Sequence, residues 1–350
     1  MSAKELRTSR ERTLFVISAV FSTVVWLVLL VSVVGILYGA LVSLFVLIAH
    51  CLLMAHITGN GVRIGPRQLP ELMQRIESAA HKLGLERAPE AYVVQSGGIL
   101  NAFATKILSR RFIILYSDLV EACEEGPAPN ELDFVIGHEL GHVAAGHLAF
   151  RLFLLPARLL PLIGAAYSRA CEYTCDRCGH EVVGDLGVSS RALAILAAGP
   201  RTARKVDLDA FVEQRAETGR FWMAVYELNA SHPFLSKRVA ALRNWKAEGS
   251  ARSLGRNPFA YPLAPVFGGL TGNPASALGM VLVVVVLAAA VAVPRLKRQF
   301  GGLLGAGLGA PAAFQAEPGG DGAGQPSDAD LERLRKAFEE AAKAGDKAQP

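Results

Sequence analysis

The chain has 350 residues, of which 51% are hydrophobic and 19% charged, with a formal net charge of +5. That length holds one sizeable catalytic domain plus accessories, and a mean hydropathy of +0.32 is high for a soluble protein, which points to membrane segments. The basic residues are scattered or flank apolar runs, with no aromatic-basic reading surface, so a lipid bilayer rather than nucleic acid is the expected partner; five cysteines without framework-like spacing argue against a disulfide-stapled secreted domain.

Residues 13–62 contain no Asp, Glu, Lys or Arg, enough for two helical spans of roughly 20 residues each. The sequence predicts a transmembrane hairpin that breaks near Gly35-Ile36-Leu37-Tyr38-Gly39. Lys4, Arg7, Arg10 and Arg12 before it, and Arg63 and Arg67 after it, put both ends in the cytoplasm by the positive-inside rule. A cleavable signal peptide over residues 1–34 is the alternative, but the run exceeds an h-region and no small-residue cleavage site follows. His50 and His56 lie toward the cytoplasmic end of the second span, where a structural role is expected.

After Pro70, the residues Leu72, Ile76, Ala79, Ala80 and Leu83 share one helical face, and Gly84 is the stop. Ala91-Tyr92-Val93-Val94 and Phe112-Ile113-Ile114-Leu115-Tyr116 read as strands, with Asn101-Ala102-Phe103-Ala104 between them after a Gly97-Gly98 turn. A small sheet thus precedes the segment Phe134-Val135-Ile136-Gly137-His138-Glu139-Leu140-Gly141-His142, an H-E-x-x-H pattern. With 8 His in the chain, chance gives roughly 0.01 such matches at this composition. The helix is predicted independently: Asn130 is an N-cap candidate and Leu132, Val135, Ile136, Leu140 and Val143 recur at helical spacing. Two histidines four apart lie on one helix face and can share a Zn²⁺, and a carboxylate beside it can take a proton from water that the metal acidifies to a pKa of about 7. That chemistry hydrolyses peptides.

Further on, residues 152–166 are apolar but broken by Pro156, Arg158 and Pro161, so an interfacial or core-lining segment is expected rather than a span. Residues 168–200 and 206–246 read as helical, the latter interrupted by Ser231-His232-Pro233. Charge vanishes again over residues 257–294, and residues 277–293 are dense enough for a third span. Residues 301–327 form a Gly/Ala/Pro-rich linker before a charged helical stretch at 331–343. The predicted divisions are a tail and hairpin (1–62), a catalytic domain (63–256), an apolar segment with the third span (257–299) and a tail (300–350), whose side of the membrane stays open.

Two histidines do not hold a catalytic zinc alone. The metzincin pattern is excluded, because Ala145 and Leu148 stand where it needs glycine and histidine, and His147 points elsewhere. Downstream, Glu172 and Asp176 lie one helical turn apart, so Glu172 can be the third ligand while Asp176 hydrogen-bonds a ligand histidine from behind. Cys171, Cys175 and Cys178 offer two rivals: the three-cysteine spacing of a radical-SAM iron–sulfur cluster, or a separate zinc on Cys175, Cys178 and His180. Inert buried thiols are the plainer reading.

On Asn101-Ala102-Phe103, His138-Glu139-Leu140-Gly141-His142 with His147, Glu172-Tyr173-x-x-Asp176, and His232-Pro233 followed by Arg238, all in order over roughly residues 60–245, the chain resembles the HtpX-like membrane zinc metalloproteases, relatives of the CAAX prenyl endopeptidases and of the mitochondrial inner-membrane quality-control protease. The resemblance implies an α+β gluzincin fold, mostly helical with a small sheet. It implies one Zn²⁺ on His138, His142 and Glu172, with Glu139 as general base. It further implies a substrate-pairing edge strand at Asn101, Ala102 and Phe103, His232 beside the oxyanion, and Arg238 near the ligands. Read from the residues alone, His232 could equally cap a helix. Cys175 replaces the family's usual alanine, and the family's second pair of spans is missing at residues 152–166. The expectation is an integral membrane zinc endopeptidase of the bacterial-type cell membrane, with its catalytic domain cytoplasmic. It would act on misfolded or membrane-associated proteins, with a catalytically silent metal-binding scaffold as the alternative. Oligomeric state is not legible.

Overall fold

The computed structural model describes residues 2–95, 97–107, 109–124, 130–160, 162–248 and 255–271, with isolated positions at 277, 280, 281, 329, 332, 333, 335 and 336. Most of the expected third span at 277–293 and of the charged stretch at 331–343 lies outside them. The chain forms two compact units, Met1–Ala288 and Ala289–Pro350. In the second, the described positions 329, 332, 333, 335 and 336 are helical.

The first unit begins with α1 (Ser9–Val31) and α2 (Val33–Asn60). Over Ser9–Val31 and Gly35–Asn60 both are long and apolar enough to cross a membrane, with mean hydropathies of 2.7 and 2.4. Val28, Leu30, Phe45 and Leu52 project from them into the surroundings. The break between them falls at Ser32 rather than in the Gly35-to-Gly39 stretch. Ser32 has extended backbone, ends α1, and its Oγ accepts the Gly35 amide at 3.1 Å, so a capping hydroxyl outweighs two glycines that an apolar helix tolerates. Gly35 is needed for a different reason. A Cβ there would stand 2.6 Å from the Leu29 carbonyl oxygen, where the chain doubles back.

A four-stranded sheet follows, with order β1-β2-β4-β3. Strand β1 (Val62–Arg63) is antiparallel to β2 (Glu90–Val94), β2 is parallel to β4 (Arg110–Tyr116), and β3 (Ala102–Ile107) is antiparallel to β4 with Ala102 opposite Leu115. Between β1 and β2 runs α3 (Pro70–Lys82), which buries Leu72, Ile76, Ala79 and Ala80 and stops at Gly84, whose φ of +77° suits glycine. One face of the sheet packs on the catalytic core through Ile113 and Leu115; the other is covered by the end of α2, where Met54 and Ile57 meet Tyr92, Phe112 and Ile114. The two histidines of α2 have local partners. His50 Nε2 is 3.2 Å from Thr105 Oγ1 on β3, and His56 Nδ1 is 3.1 Å from Asn60 Nδ2.

The remaining helices are α4 (Ser117–Glu124), α5 (Asn130–Ala144), α6 (Leu155–Leu159), α7 (Ile163–Val183), α8 (Leu186–Ala198), α9 (Pro200–Ala203), α10 (Leu208–Glu213), α11 (Phe221–Asn229), α12 (Leu235–Glu248) and α13 (Ala260–Leu263). Helix α5 is central: Leu132, Phe134, Ile136 and Leu140 are all buried. It packs closely against α7 through Gly137 and Gly141, which leave room for Val182 and Cys178 of α7. A Cβ on Gly137 would stand 2.9 Å from Gly179 Cα, and one on Gly141 2.9 Å from Cys178 Cβ and 3.2 Å from Cys175 Cα. The segment before α7 lies along α1, as a core-lining segment should, with Trp26 Nε1 donating to the Phe153 carbonyl at 2.8 Å and the Ala157 amide to Ser22 Oγ at 3.3 Å. The residues before α1 are not a free basic tail, since Ala3 and Leu6 enter the core.

Candidate metal centre

The glycine seam between α5 and α7 brings their polar residues together. Glu172 on α7 reaches both histidines of α5: its Oε2 is 3.4 Å from His138 Nε2 and its Oε1 is 3.4 Å from His142 Nε2. Each separation is the edge of a tetrahedron whose corners lie about 2.1 Å from its centre, the distance at which zinc holds nitrogen and oxygen. Glu172 Oε2 is buried and has no hydrogen-bond partner. A buried carboxylate oxygen left without a donor is costly, and a cation shared with the two imidazoles removes that cost. The donor set therefore fits Zn²⁺.

Each histidine is oriented from behind. His138 Nδ1 is 3.1 Å from Asp176 Oδ1, and Arg238 of α12 donates to both oxygens of Asp176, at 2.6 and 2.9 Å. Burial would raise the pKa of Asp176, but Arg238 and His138 hold it below the usual carboxylate range. Burial likewise opposes charge on His138, yet its bonds to Asp176 and Glu172 outweigh burial and lift its pKa to about 9. Glu172 is held well below the ordinary value against its own burial, with His232, His138, His142 and Arg238 around it. It is an anion that also lies 3.4 Å from Arg238.

His142 leads to residues that local sequence patterns do not reveal. Its Nδ1 is 3.1 Å from His147 Nδ1, and His147 Nε2 is 3.1 Å from Oε1 of Glu11, a fully buried carboxylate on α1. Arg7 and Thr174 donate to the same carboxylate. Burial pushes His147 below its ordinary value against the pull of Glu11, which favours the neutral imidazole. One tautomer chain connects these residues: His142 donates from Nδ1 to His147, which donates from Nε2 to Glu11, leaving His142 Nε2 free toward Glu172. His147 thus turns toward Glu11, away from Glu172, and orients His142 from behind.

His232 lies at the open side, with its side chain 64% exposed and its Nε2 3.5 Å from Glu172 Oε1. It caps no helix; Ser231 Oγ is 2.9 Å from its Nδ1. Its loop is fixed by Arg169 of α7, which donates to the carbonyls of Glu227, Leu228 and Ala230 at 2.6, 3.1 and 2.7 Å. Glu227 in turn is clamped in the interior by Lys237 at 2.6 Å and Arg256 at 2.7 Å.

Two cavities of about 300 Å³ meet at His138, Glu139, Glu172 and His232, and Ala102 lines both. Asn101 borders one and Phe103 the other, so the predicted edge residues do stand beside the predicted ligands. β3 is one of the two outer strands of the sheet. Glu139 faces both cavities, and among the described residues no hydrogen-bond or ion-pair partner occupies its carboxylate. A larger cavity of ≈ 460 Å³ around Arg63–Gln68 contains no His or Cys in its lining.

The cysteines do not form a common site. Cys178 packs on Gly141, Cys175 Sγ is 3.6 Å from His147 Nδ1, and Cys171 lies against Tyr167. Burial pushes all three thiols up, Cys178 to about 12. His180 bonds Ser189 at 3.0 Å instead of joining Cys175 and Cys178. Cys175 does come within reach of His138 and His142, but Glu172 is the charged donor already there, and a buried thiol would first have to lose its proton.

The model of peptidase family M48 matches residues 66–163 and 152–246. The chain belongs to peptidase family M48. The two matched segments cover β2 to β4, α5, α7 and the His232 loop, so His138, Glu139, His142, Glu172, Asp176, His232 and Arg238 lie within this M48 region, whereas Glu11 on α1 lies outside it. Membership makes the protein a metallopeptidase. No curated protein and no solved structure matches the chain.

Proposed function

We propose that this M48 peptidase is an integral membrane zinc endopeptidase of the gluzincin type, anchored through α1 and α2, that cleaves exposed segments of misfolded or membrane-associated proteins at the cytoplasmic face of a bacterial-type cell membrane. The observation that carries the reading is the buried Glu172 carboxylate, 3.4 Å from both His138 and His142, whose Oε2 forms no hydrogen bond. His138, His142 and Glu172 would hold one zinc, which when bound would supply the Lewis acidity that lowers the pKa of water and polarises a carbonyl. Glu139 takes the proton of the attacking water and hands it to the leaving amine. Its carboxylate is available because nothing else in the site binds it. His232, exposed at the rim where substrate can reach it, donates from Nε2 to the oxygen on which negative charge develops. Arg238 keeps Asp176 ionised and Asp176 keeps His138 in the tautomer that presents Nε2 to the metal. Substrate backbone adds to the free edge of β3 at Asn101, Ala102 and Phe103, which draws an extended chain past Glu139.

Membrane location is supported by the apolar exterior of α1 and α2, and the quality-control role by the family resemblance. The reading is tested on detergent-purified full chain incubated with casein. Cleavage is expected to stop on chelation, to return with zinc, and to be abolished in Glu139→Gln while one zinc per chain stays bound. Undiminished proteolysis by Glu139→Gln would remove Glu139 from the role of base.

A further inference from the structure

Arg151 and Arg158 stand in the wall of the cavity that also holds Ala102–Ala104, Glu139, His142 and His232. Among the described residues neither guanidinium has a hydrogen bond or an ion pair. That sets them apart from the other interior cations. Arg238 is bound to Asp176, Lys237 and Arg256 to Glu227, and Arg169 to three carbonyls. Arg158 is half-buried, and burial together with the neighbouring positive charge of Arg151 pushes its pKa below the ordinary value. The groups beside it on α7 are Tyr167 and Cys171, whose thiol burial keeps protonated. The two acids in the cavity do not answer the charge: Glu172 is engaged by His138, His142 and Arg238, and Glu139 lies beyond ion-pair distance of either arginine.

Two neighbouring guanidinium groups in one cavity wall, Arg158 half-buried and Arg151 exposed, without a counter-charge among the described residues, are stabilised by an anion that fits their planar forks. They are rigidly carried, because the segment bearing them is tied to α1 at Ser22 and Trp26. We propose that Arg151 and Arg158 form a carboxylate-binding subsite of the cleft, selecting substrates with an Asp or Glu side chain, or a free C-terminal carboxylate, close to the scissile bond. The inference rests on the peptidase reading of the same cleft. A peptide is the occupant because the arginines share one cavity with the edge strand and with Glu139, so whatever lies on that strand passes them.

The test separates binding from turnover. Zinc-loaded, full-length Glu139→Gln protein in detergent is titrated with fluorescent peptides of one sequence that carry Glu or Gln at successive positions, each with a free or amidated C-terminus. At the position facing the pair, or at the C-terminus, the carboxylate form is expected to bind roughly tenfold to a hundredfold more tightly than its neutral counterpart. Arg158→Gln should erase that difference and Arg151→Gln reduce it, whereas Arg158→Lys should retain part. Zinc content per chain reports that each variant keeps the neighbouring site. Equal affinity for charged and neutral peptides overturns the subsite, as does a preference that survives in the double variant Arg151→Gln, Arg158→Gln. So does a double variant whose only defect is weaker association with phosphatidylglycerol vesicles, which would assign the pair to a lipid headgroup. If the carboxylate preference is present but the parent protein cleaves none of the peptides, the peptidase reading fails and the subsite stands.

Discussion

Glu172 decides whether a metal can sit between the two helices, because two imidazoles alone leave zinc under-coordinated. Glu172→Ala is therefore expected to empty the site and abolish activity. Asp176→Asn keeps the ligands but loses the anion behind His138, and should weaken zinc affinity about 10–100-fold without preventing loading at saturating metal. Cys175→Ala should leave zinc content unchanged. Metal per chain after chelator competition checks all three, and a variant series in which Cys175→Ala loses zinc while Glu172→Ala retains it would hand the site to the thiolate. These residues were legible in the sequence because each pair lies one helical turn apart, so the spacing alone places both on one face. Glu11 was not. It is one of two acids in a basic flank, and its partner His147 is brought to it by the packing of α1 on α7, which no local pattern encodes. Arg158 was visible only as a break in an apolar run; its unpaired charge emerges from what surrounds it in space.

Among the elements, the approach of α5 to α7 sets the distances at the centre. Gly137 and Gly141 stood in plain view beside the histidines, but their reason is tertiary: a Cβ would meet Val182 and Gly179 at the first and Cys178 and Cys175 at the second. Gly141→Ala is expected to cost about 1–3 kcal/mol through overpacking and to lower zinc affinity by spreading the ligands, measured by thermal unfolding with and without zinc. The His232 loop depends on a different interior contact. Glu227 is ionised between Lys237 and Arg256, which outweigh the opposing effect of burial and hold its pKa below the ordinary 4.5. A carboxylate depressed in the folded state contributes stability that is complete above the unfolded value and is lost as pH falls through the folded one. Stability supplied by Glu227 is thus full above pH about 4.5 and declines below it. Glu227→Gln should lower stability at neutral pH by about 3–5 kcal/mol, because two buried cations lose their anion, and should flatten the acid limb of the stability profile. An unchanged acid limb would show that other carboxylates govern it.

At the scale of the whole molecule, the membrane anchor and the metal site form one construction. The sequence suggested a boundary after residue 62, since charge returns there and a catalytic motif follows. Contacts cross that boundary: Ala3 and Leu6 lie in the catalytic core, Arg177 donates to the Leu6 carbonyl, and Glu11 ends the chain of hydrogen bonds that begins at His142. A fragment starting at residue 63 would therefore lose both the apolar plug and the anion behind His147. Without Glu11, nothing holds His147 in the tautomer that accepts from His142, and the ligand nitrogen loses its fixed direction. Glu11→Gln in the full chain is expected to reduce zinc affinity about 10–100-fold, the effect of removing an outer partner of a ligating histidine, while leaving membrane insertion intact. Glu11→Asp should recover only part of the affinity, because the carboxylate is shortened by one carbon. The measurement is competition with a zinc chelator in detergent, alongside extraction of membranes at alkaline pH to confirm insertion. Parent-like affinity in Glu11→Gln would mean that α1 holds the domain without steering the metal.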